Sequence, residues 1–157
     1  MPRMLRGQRH AMSAMPIALL ILHLLLAAQH PDCARNGLLP DVRCTPGAID
    51  AAAMLHVICT TSTRERRHVT ETTRLQVMTA YGVPRADWDR YELDHLVSLE
   101  LGGSNEAANL WPEPLDDARR KDAVEDRVHR AVCAGRMRLE DAQRQMASDW
   151  TKLEGVR

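Results

Sequence analysis

The stretch from Tyr91 to Pro112 constrains this chain of 157 residues more than any other. Its apolar residues Leu93, Leu96, Val97 and Leu99 are interrupted by an adjacent acid and base, Asp94 and His95. Burying an unpaired carboxylate costs free energy, so a metal ion or the histidine is expected to neutralise Asp94. Gly102-Gly103 supplies a turn that returns Asn109 toward the pair. The stretch therefore predicts a polar site at the end of a strand.

Helical periodicity surrounds this stretch. Residues 70–81 have an apolar face and are followed by Gly82, a residue typical of helix C-termini. Residues 116–133 begin with acidic side chains, which a helix dipole favours, and residues 139–153 show a second apolar stripe. One strand region with helices on both sides predicts a small α+β fold. A short apolar run at residues 54–59 fits a helix end or a buried strand.

The first 28 residues have the pattern of a secretory signal peptide. Arg3, Arg6 and Arg9 precede an apolar run of about 14 residues that ends in small side chains near Ala28. The run is shorter than the roughly 20 residues that span a bilayer. An uncleaved membrane anchor and a later start are the alternatives. Cleavage predicts a secreted or periplasmic protein without a membrane span.

Four cysteines follow the leader, and none of them forms a CxxC pair. In an exported chain an even number of cysteines predicts up to two disulfides, here with three pairings open. We divide the chain into a signal peptide (residues 1–28), an irregular cysteine-containing segment (29–68) and a main domain (69–157). The cysteines are Cys33, Cys44, Cys59 and Cys133.

The charge balance argues against a generic nucleic-acid binder. The whole chain has a formal net charge of zero, and removal of the three leader arginines leaves 18 basic and 21 acidic residues. Proteins that bind nucleic acid without specificity are basic. A local basic cluster at Arg64, Arg66 and Arg67 can contact phosphates or form a solvated loop. No feature of the sequence indicates a protein partner.

From Leu93 to Leu110 the sequence resembles the HNH nuclease motif: Asp-His, a hydrophobic run, Gly-Gly-Ser-Asn and Asn-Leu. Asn109 follows His95 by 14 positions, which matches the spacing of that motif. A looser similarity to small exported bacterial HNH-like proteins covers most of the chain after the leader. The resemblance implies a ββα-metal core, braced by disulfides and flanked by helices.

The resemblance also implies an activity, the metal-dependent hydrolysis of phosphodiester bonds in DNA. Asp94 would bind one divalent metal, Mg²⁺ or a transition metal, which neutralises the scissile phosphate. His95 would act as general base toward the attacking water, because the pKa of histidine lies near neutrality. Asn109 would hold the loop of the motif and orient the His95 ring.

The chain departs from the motif at the helix, where Ala118 stands in place of the usual histidine or asparagine ligand. Candidate substitutes lie deeper in the helix. We take Asp122, Glu125 and His129 as candidate metal ligands and Lys121 as a candidate phosphate contact. Lys121, Glu125 and His129 follow the i, i+4, i+8 spacing of one helix face, which is also typical of an exposed polar stripe.

The missing ligand leaves a second hypothesis open. The protein can instead be a catalytically inactive HNH-like module that binds or has a structural role in the cell envelope. In that case Asp94 and His95 serve packing alone.

Overall fold

The computed structural model describes residues 33–157, so the predicted signal peptide lies outside the described residues. This part of the chain consists of helices and one antiparallel hairpin, and the predicted α+β class is confirmed. The strands are β1 (Tyr91–His95) and β2 (Leu110–Pro114). The helices are α1 (Leu55–Thr60), α2 (Thr63–Arg66), α3 (Glu71–Ala80), α4 (Leu115–Cys133) and α5 (Leu139–Asp149). Single 3₁₀ segments cover Arg85–Arg90, Leu99–Leu101, Ala107–Asn109 and Trp150–Leu153.

The hairpin register determines which side chains share a face. Asp94 pairs with Trp111, and Glu92 pairs with Glu113. Because directly opposed residues of an antiparallel pair project to the same side, all four side chains lie on one face of the hairpin. Helix α4 follows β2 without a loop and packs against both strands.

The main core lies between the hairpin, α4 and α5. Trp111, Val124 and Val128 are fully buried there. Helix α5 adds Met146, and the 3₁₀ segment Trp150–Leu153 adds Trp150. The helical spacing of the two valines, four residues apart, turns both toward the strands. Full burial of each side chain of this size contributes about 1.5–3 kcal/mol.

Helix α3 packs against the hairpin through a smaller cluster of Val77, Leu93 and Leu110. Thr70 accepts a hydrogen bond from the backbone N–H of Thr73 and so caps the helix where the sequence predicts its start. Gly82 follows the helix with a positive φ of 64°. The predicted helix over residues 70–81 is therefore confirmed to within a residue at each end.

The apolar run after His95 does not continue as a strand. The side chain of Asn109 bonds both backbone groups of Val97, the N–H at 2.9 Å and the C=O at 2.9 Å. Val97 therefore has no backbone group left for a ladder, and β1 ends at His95. The chain then turns through Gly103, where an added Cβ would lie 1.7 Å from the Val97 carbonyl oxygen.

Residues 33–68 are tied to the rest of the described chain. Thr45 donates a hydrogen bond to the Leu110 carbonyl at 2.9 Å, and Ile49 forms an isolated bridge with Gly103. The run at residues 54–59, left open between helix and strand, is helix α1. Arg66 belongs to the short helix α2 and donates to the Leu99 carbonyl.

Two disulfides resolve the open cysteine pairing as Cys33–Cys44 and Cys59–Cys133. The second joins α1 to the last residue of α4. Disulfides are compatible with an extracellular or periplasmic location. Within residues 33–157, no helix combines the length and the apolar character that a membrane crossing requires.

We expect the two disulfides to contribute unequally to stability. Cys59–Cys133 spans 74 residues and Cys33–Cys44 spans 11. Loop-closure entropy predicts that the free energy of unfolding falls by about 4–5 kcal/mol when serines replace Cys59 and Cys133. It falls by about 3 kcal/mol when serines replace Cys33 and Cys44. Urea unfolding of the two double-serine variants measures the difference. Equal losses would contradict the entropic explanation.

Candidate active site

A buried lysine lies at the centre of the polar residues that the sequence selects. The Lys121 side chain is 1% exposed, and its ammonium donates to Asp94 Oδ2 at 2.7 Å and to the His95 carbonyl at 2.8 Å. A third hydrogen bond goes to Glu125 Oε1. All three N–H groups of the ammonium therefore have acceptors inside the protein. Asp94 is neutralised by this lysine, whereas the sequence predicted a metal ion or His95.

The electrostatics of Lys121 follow from these contacts. Burial alone lowers the pKa of an ammonium, but the charges of Asp94 and Glu125 outweigh it and raise the pKa of Lys121 above its usual range. Lys121 therefore stays charged at neutral pH. One turn of α4 that faces β1 brings Asp94, Lys121 and Glu125 together. Lys121, predicted to contact a phosphate, is instead buried and uses all three N–H groups on acceptors inside the protein.

A carboxyl group that sequence reasoning missed completes this cluster. Glu113 is 1% exposed and lies within hydrogen-bonding reach of Asp94. Burial and the neighbouring Asp94 charge raise the pKa of Glu113, and burial raises that of Glu125 against the opposing charge of Lys121. One ammonium cannot balance three carboxylates, so the cluster retains a proton. Alternation along β2 could have indicated Glu113, because it shares a face with Trp111.

The His95 ring is held by Asn105. His95 is 2% exposed, and its Nε2 lies 3.2 Å from Asn105 Oδ1. Two backbone groups orient this amide: Asn105 Nδ2 donates to the Arg66 carbonyl at 2.8 Å, and Oδ1 accepts from the His68 N–H at 3.1 Å. Because an oxygen faces Nε2, that nitrogen has to carry the ring proton.

This tautomer leaves a free base on the other side of the ring. Nδ1 of His95 is buried and has no hydrogen-bond partner within residues 33–157. Burial lowers the pKa of His95 to about 4, although the Asn105 hydrogen bond and the Asp94 charge partly oppose the shift. The ring is therefore neutral at pH 7 and has its lone pair on Nδ1.

Asn109 holds the backbone of the loop, whereas Asn105 holds the His95 ring. It is fully buried, and besides its two bonds to Val97 it donates to the Ser104 carbonyl at 3.0 Å. These bonds fix the loop after β1, as the sequence predicts. The described contacts of the His95 ring are with Asn105, a residue that the spacing of the motif did not indicate.

Asp94 and His95 line a cleft of about 230 Å³. Asp122 and Glu125 from α4 line it as well, so the structure brings these predicted residues to one cavity. Five carboxyl groups and one guanidinium, that of Arg67, form its charged lining. The cleft is therefore suited to cations. Its remaining lining residues are Thr63, Ser98, Leu99, Glu100 and Asp126.

The donor set of this cleft fits a hard divalent cation. Asp94, Asp122 and Glu125 offer carboxylate oxygens, and Mg²⁺ usually needs only one or two protein carboxylates together with water and substrate oxygens. Burial, and after it the charge of Asp94, raises the pKa of Asp122. Asp94 Oδ2 and Glu125 Oε1 both accept from the Lys121 ammonium, so a cation in this cleft would share these two carboxylates with the lysine.

His129, a predicted metal ligand, lies at the other end of this helix face. Its Nε2 is 3.1 Å from the Ile58 carbonyl oxygen, and its Nδ1 is 3.9 Å from Glu100. With Cys59 and Cys133 it forms a group of three potential ligand atoms within 4.8 Å of one another. In the intact disulfide the sulfurs bond each other, whereas metal binding requires thiolates.

Comparisons with known protein families, with curated proteins and with solved structures find no match for this chain. The function is therefore inferred from the residues and geometry of the site.

We expect Lys121→Met to be among the most destabilising single substitutions. It leaves Asp94 and Glu125 buried without their cation, which costs about 3–5 kcal/mol at pH 7. Part of the loss should be recovered at lower pH, because protonation removes the unpaired charges. Urea unfolding measures both effects.

The matched control is Lys152→Met, which removes the side chain of an exposed ion pair and should change the stability by less than about 1 kcal/mol. Equal stabilities of the two variants would contradict the central role of Lys121.

The pKa of Glu113 also predicts a pH dependence of stability. Its folded-state pKa lies above the ordinary 4.5, so the folded protein binds more protons than the unfolded chain between these values. The stabilisation is complete below pH 4.5 and is lost as the pH rises through the folded-state pKa. Glu113→Gln cannot ionise and should be at least about 1 kcal/mol more stable than wild type at pH 9.

Unfolding curves of this variant from pH 5 to pH 9 provide the measurement. Glu140→Gln, at an exposed side chain of α5, should retain the slope of the wild type. A Glu113→Gln variant with that same slope would show that Glu113 is not protonated in the folded state.

Proposed function

We propose that this protein is an HNH-type phosphodiester hydrolase that cleaves DNA with the help of a divalent metal ion. One observation supports this more than any other. Within residues 33–157, Nδ1 of the neutral His95 ring has no hydrogen-bond partner, and the ring lines an acidic cleft beside Asp94. A positioned base next to carboxylates that can hold a cation is the minimal equipment for activating water toward a phosphodiester.

The order of the elements supports the same proposal. An antiparallel hairpin is followed directly by a helix, and the helix returns Asp122 and Glu125 to the end of β1. This connectivity is what a ββα-metal core requires. Ala118 is 5% exposed and offers no ligand, so Asp122 and Glu125, one and two turns further along α4, are the groups we assign in its place.

In the proposed reaction, His95 Nδ1 takes a proton from a water molecule as the water oxygen attacks phosphorus. The Asn105 oxygen stabilises the imidazolium that forms, because it continues to accept the hydrogen bond from Nε2. The bond from phosphorus to the leaving oxygen then breaks, and that oxygen takes a proton from a solvent water molecule. A divalent metal held by Asp94, Asp122 and Glu125 would supply positive charge to the phosphate and the leaving oxygen.

A second function is favoured by one observation, the contact between Lys121 and Asp94 at 2.7 Å. A lysine that satisfies the carboxylate removes the need for a metal. In this alternative the chain is an inactive HNH-like module of the cell envelope, and the polar cluster serves folding alone. Export from the cytoplasm is part of both proposals.

We expect purified protein to nick plasmid DNA in the presence of Mg²⁺, Mn²⁺, Ni²⁺ or Zn²⁺, and not in EDTA. His95→Ala should lower the rate by about 10²–10⁴-fold, because general-base catalysis contributes that much. Asn105→Ala should lower kcat as well and should redistribute the ring proton, which ¹⁵N NMR of labelled histidine detects. His56→Ala, at an exposed histidine of α1, is the matched control and should retain activity.

The outcome separates the two functions. Nicking that survives His95→Ala would contradict the hydrolase. Intact plasmid with all four metals, together with a melting temperature that no metal changes, would favour the inactive module.

A further inference from the structure

A second cleft adjoins the catalytic one. It has a volume of about 210 Å³, and Arg67 lines both cavities. Arg74, from α3, lines the second cleft only. A ligand that extends from the catalytic cleft past Arg67 therefore comes next to Arg74. The two cavities differ in charge, because the first is lined mainly by carboxylates and the second contains two guanidinium groups.

Both guanidinium groups are available to a ligand. Within residues 33–157, neither Arg67 nor Arg74 forms an ion pair with a carboxylate. Arg74 is nevertheless held in place, because its guanidinium carbon lies 5.3 Å from the centre of the Trp88 ring. Stacking uses the face of the guanidinium and leaves its N–H edges free. Within residues 33–157, the Arg74 guanidinium thus has an aromatic contact and no ion pair with a carboxylate.

The acids near these arginines differ in their contacts. The charge of Arg67 acts on the carboxylates of Glu92 and Asp122 and lowers their pKa values against the effect of burial. Glu71 also lines the second cleft, but its carboxylate pairs with Arg85 at 3.7 Å. Arg85 stacks on the same Trp88 ring, at 4.5 Å, and is absent from the lining of the cleft. Trp88 therefore holds one arginine that is paired with an acid and one that is free to bind an anion.

From these contacts we propose that Arg67 and Arg74 form a phosphate-binding subsite for the strand whose scissile phosphate enters the catalytic cleft. Guanidinium groups bind phosphate oxygens in a bidentate manner, and a guanidinium already ordered loses little entropy on binding. The chain beyond the leader has more acidic than basic residues, so it lacks the general positive charge that attracts DNA. A local pair of arginines compensates for this. The inference rests on the proposed function, because the ligand is the substrate of that reaction.

Binding can be tested without cleavage. In the full chain with His95→Ala, fluorescence anisotropy with a short fluorescein-labelled single strand of DNA and Mg²⁺ reports affinity alone. Arg67→Gln and Arg74→Gln should each weaken binding about tenfold and reduce the slope of log K against log salt by about 0.7, the value for one contact to a single strand. Arg138→Gln is the matched control and should stay within about twofold of the parent, because this exposed arginine pairs with Glu140 and lines neither cleft.

The kinetic arm uses the chain with His95 intact. Arg67→Gln and Arg74→Gln should raise KM with little change in kcat, because the subsite binds the substrate and its transition state equally. Binding and salt slopes equal to those of Arg138→Gln would overturn the subsite. If no form of the protein cuts DNA but the two variants alone lose binding, the subsite stands and the hydrolase proposal fails. If the protein cuts DNA and the variants bind normally, the subsite fails and the hydrolase stands.

Discussion

The rest of the site depends on the hydrogen bonds and ion pairs of the Lys121 ammonium group. It is the one buried cation among the carboxyl groups of β1, β2 and α4, and it bonds Asp94, Glu125 and the backbone of His95 at once. Two carboxyls from different elements can approach each other only because this charge lies between them. The same contact sets the position of His95, since its carbonyl is one of the three acceptors. Stability and site geometry are thus determined by a single side chain of α4.

Two asparagines perform the two roles that the HNH resemblance implies for one, which are to hold the loop and to orient the His95 ring. Asn109 satisfies backbone groups of Val97 and Ser104 and so shapes the loop after β1. Asn105 lies in that loop and presents its oxygen to the His95 ring. The loop therefore connects a structural asparagine to a positioning one. Its Gly103 cannot accept a side chain, because a Cβ would collide with the Val97 carbonyl.

The charge around the site changes from the buried cluster to the acidic cleft and then to the arginines at its border. The buried cluster contains Lys121 and retains a proton because its carboxyls outnumber its cation. The cleft above it is lined by further acids, which suits a cation, and Arg67 stands at its border. Next to Arg67 lies the cavity with Arg74. An anionic strand would thus meet positive charge at the edge and need a metal ion at the centre.

Local patterns in the sequence predicted the positions of the main helices and of the polar site. Periodicity and caps located α3, α4 and α5 to within a few residues, and the Asp94-His95 pair identified the site, because these signals are short-range. Sequence did not show that Lys121 bonds Asp94, that Asn105 holds the ring, or which cysteines pair. These contacts join residues that are 10 to 74 positions apart. They depend on how α4 packs across the hairpin, and only the tertiary structure decides that packing.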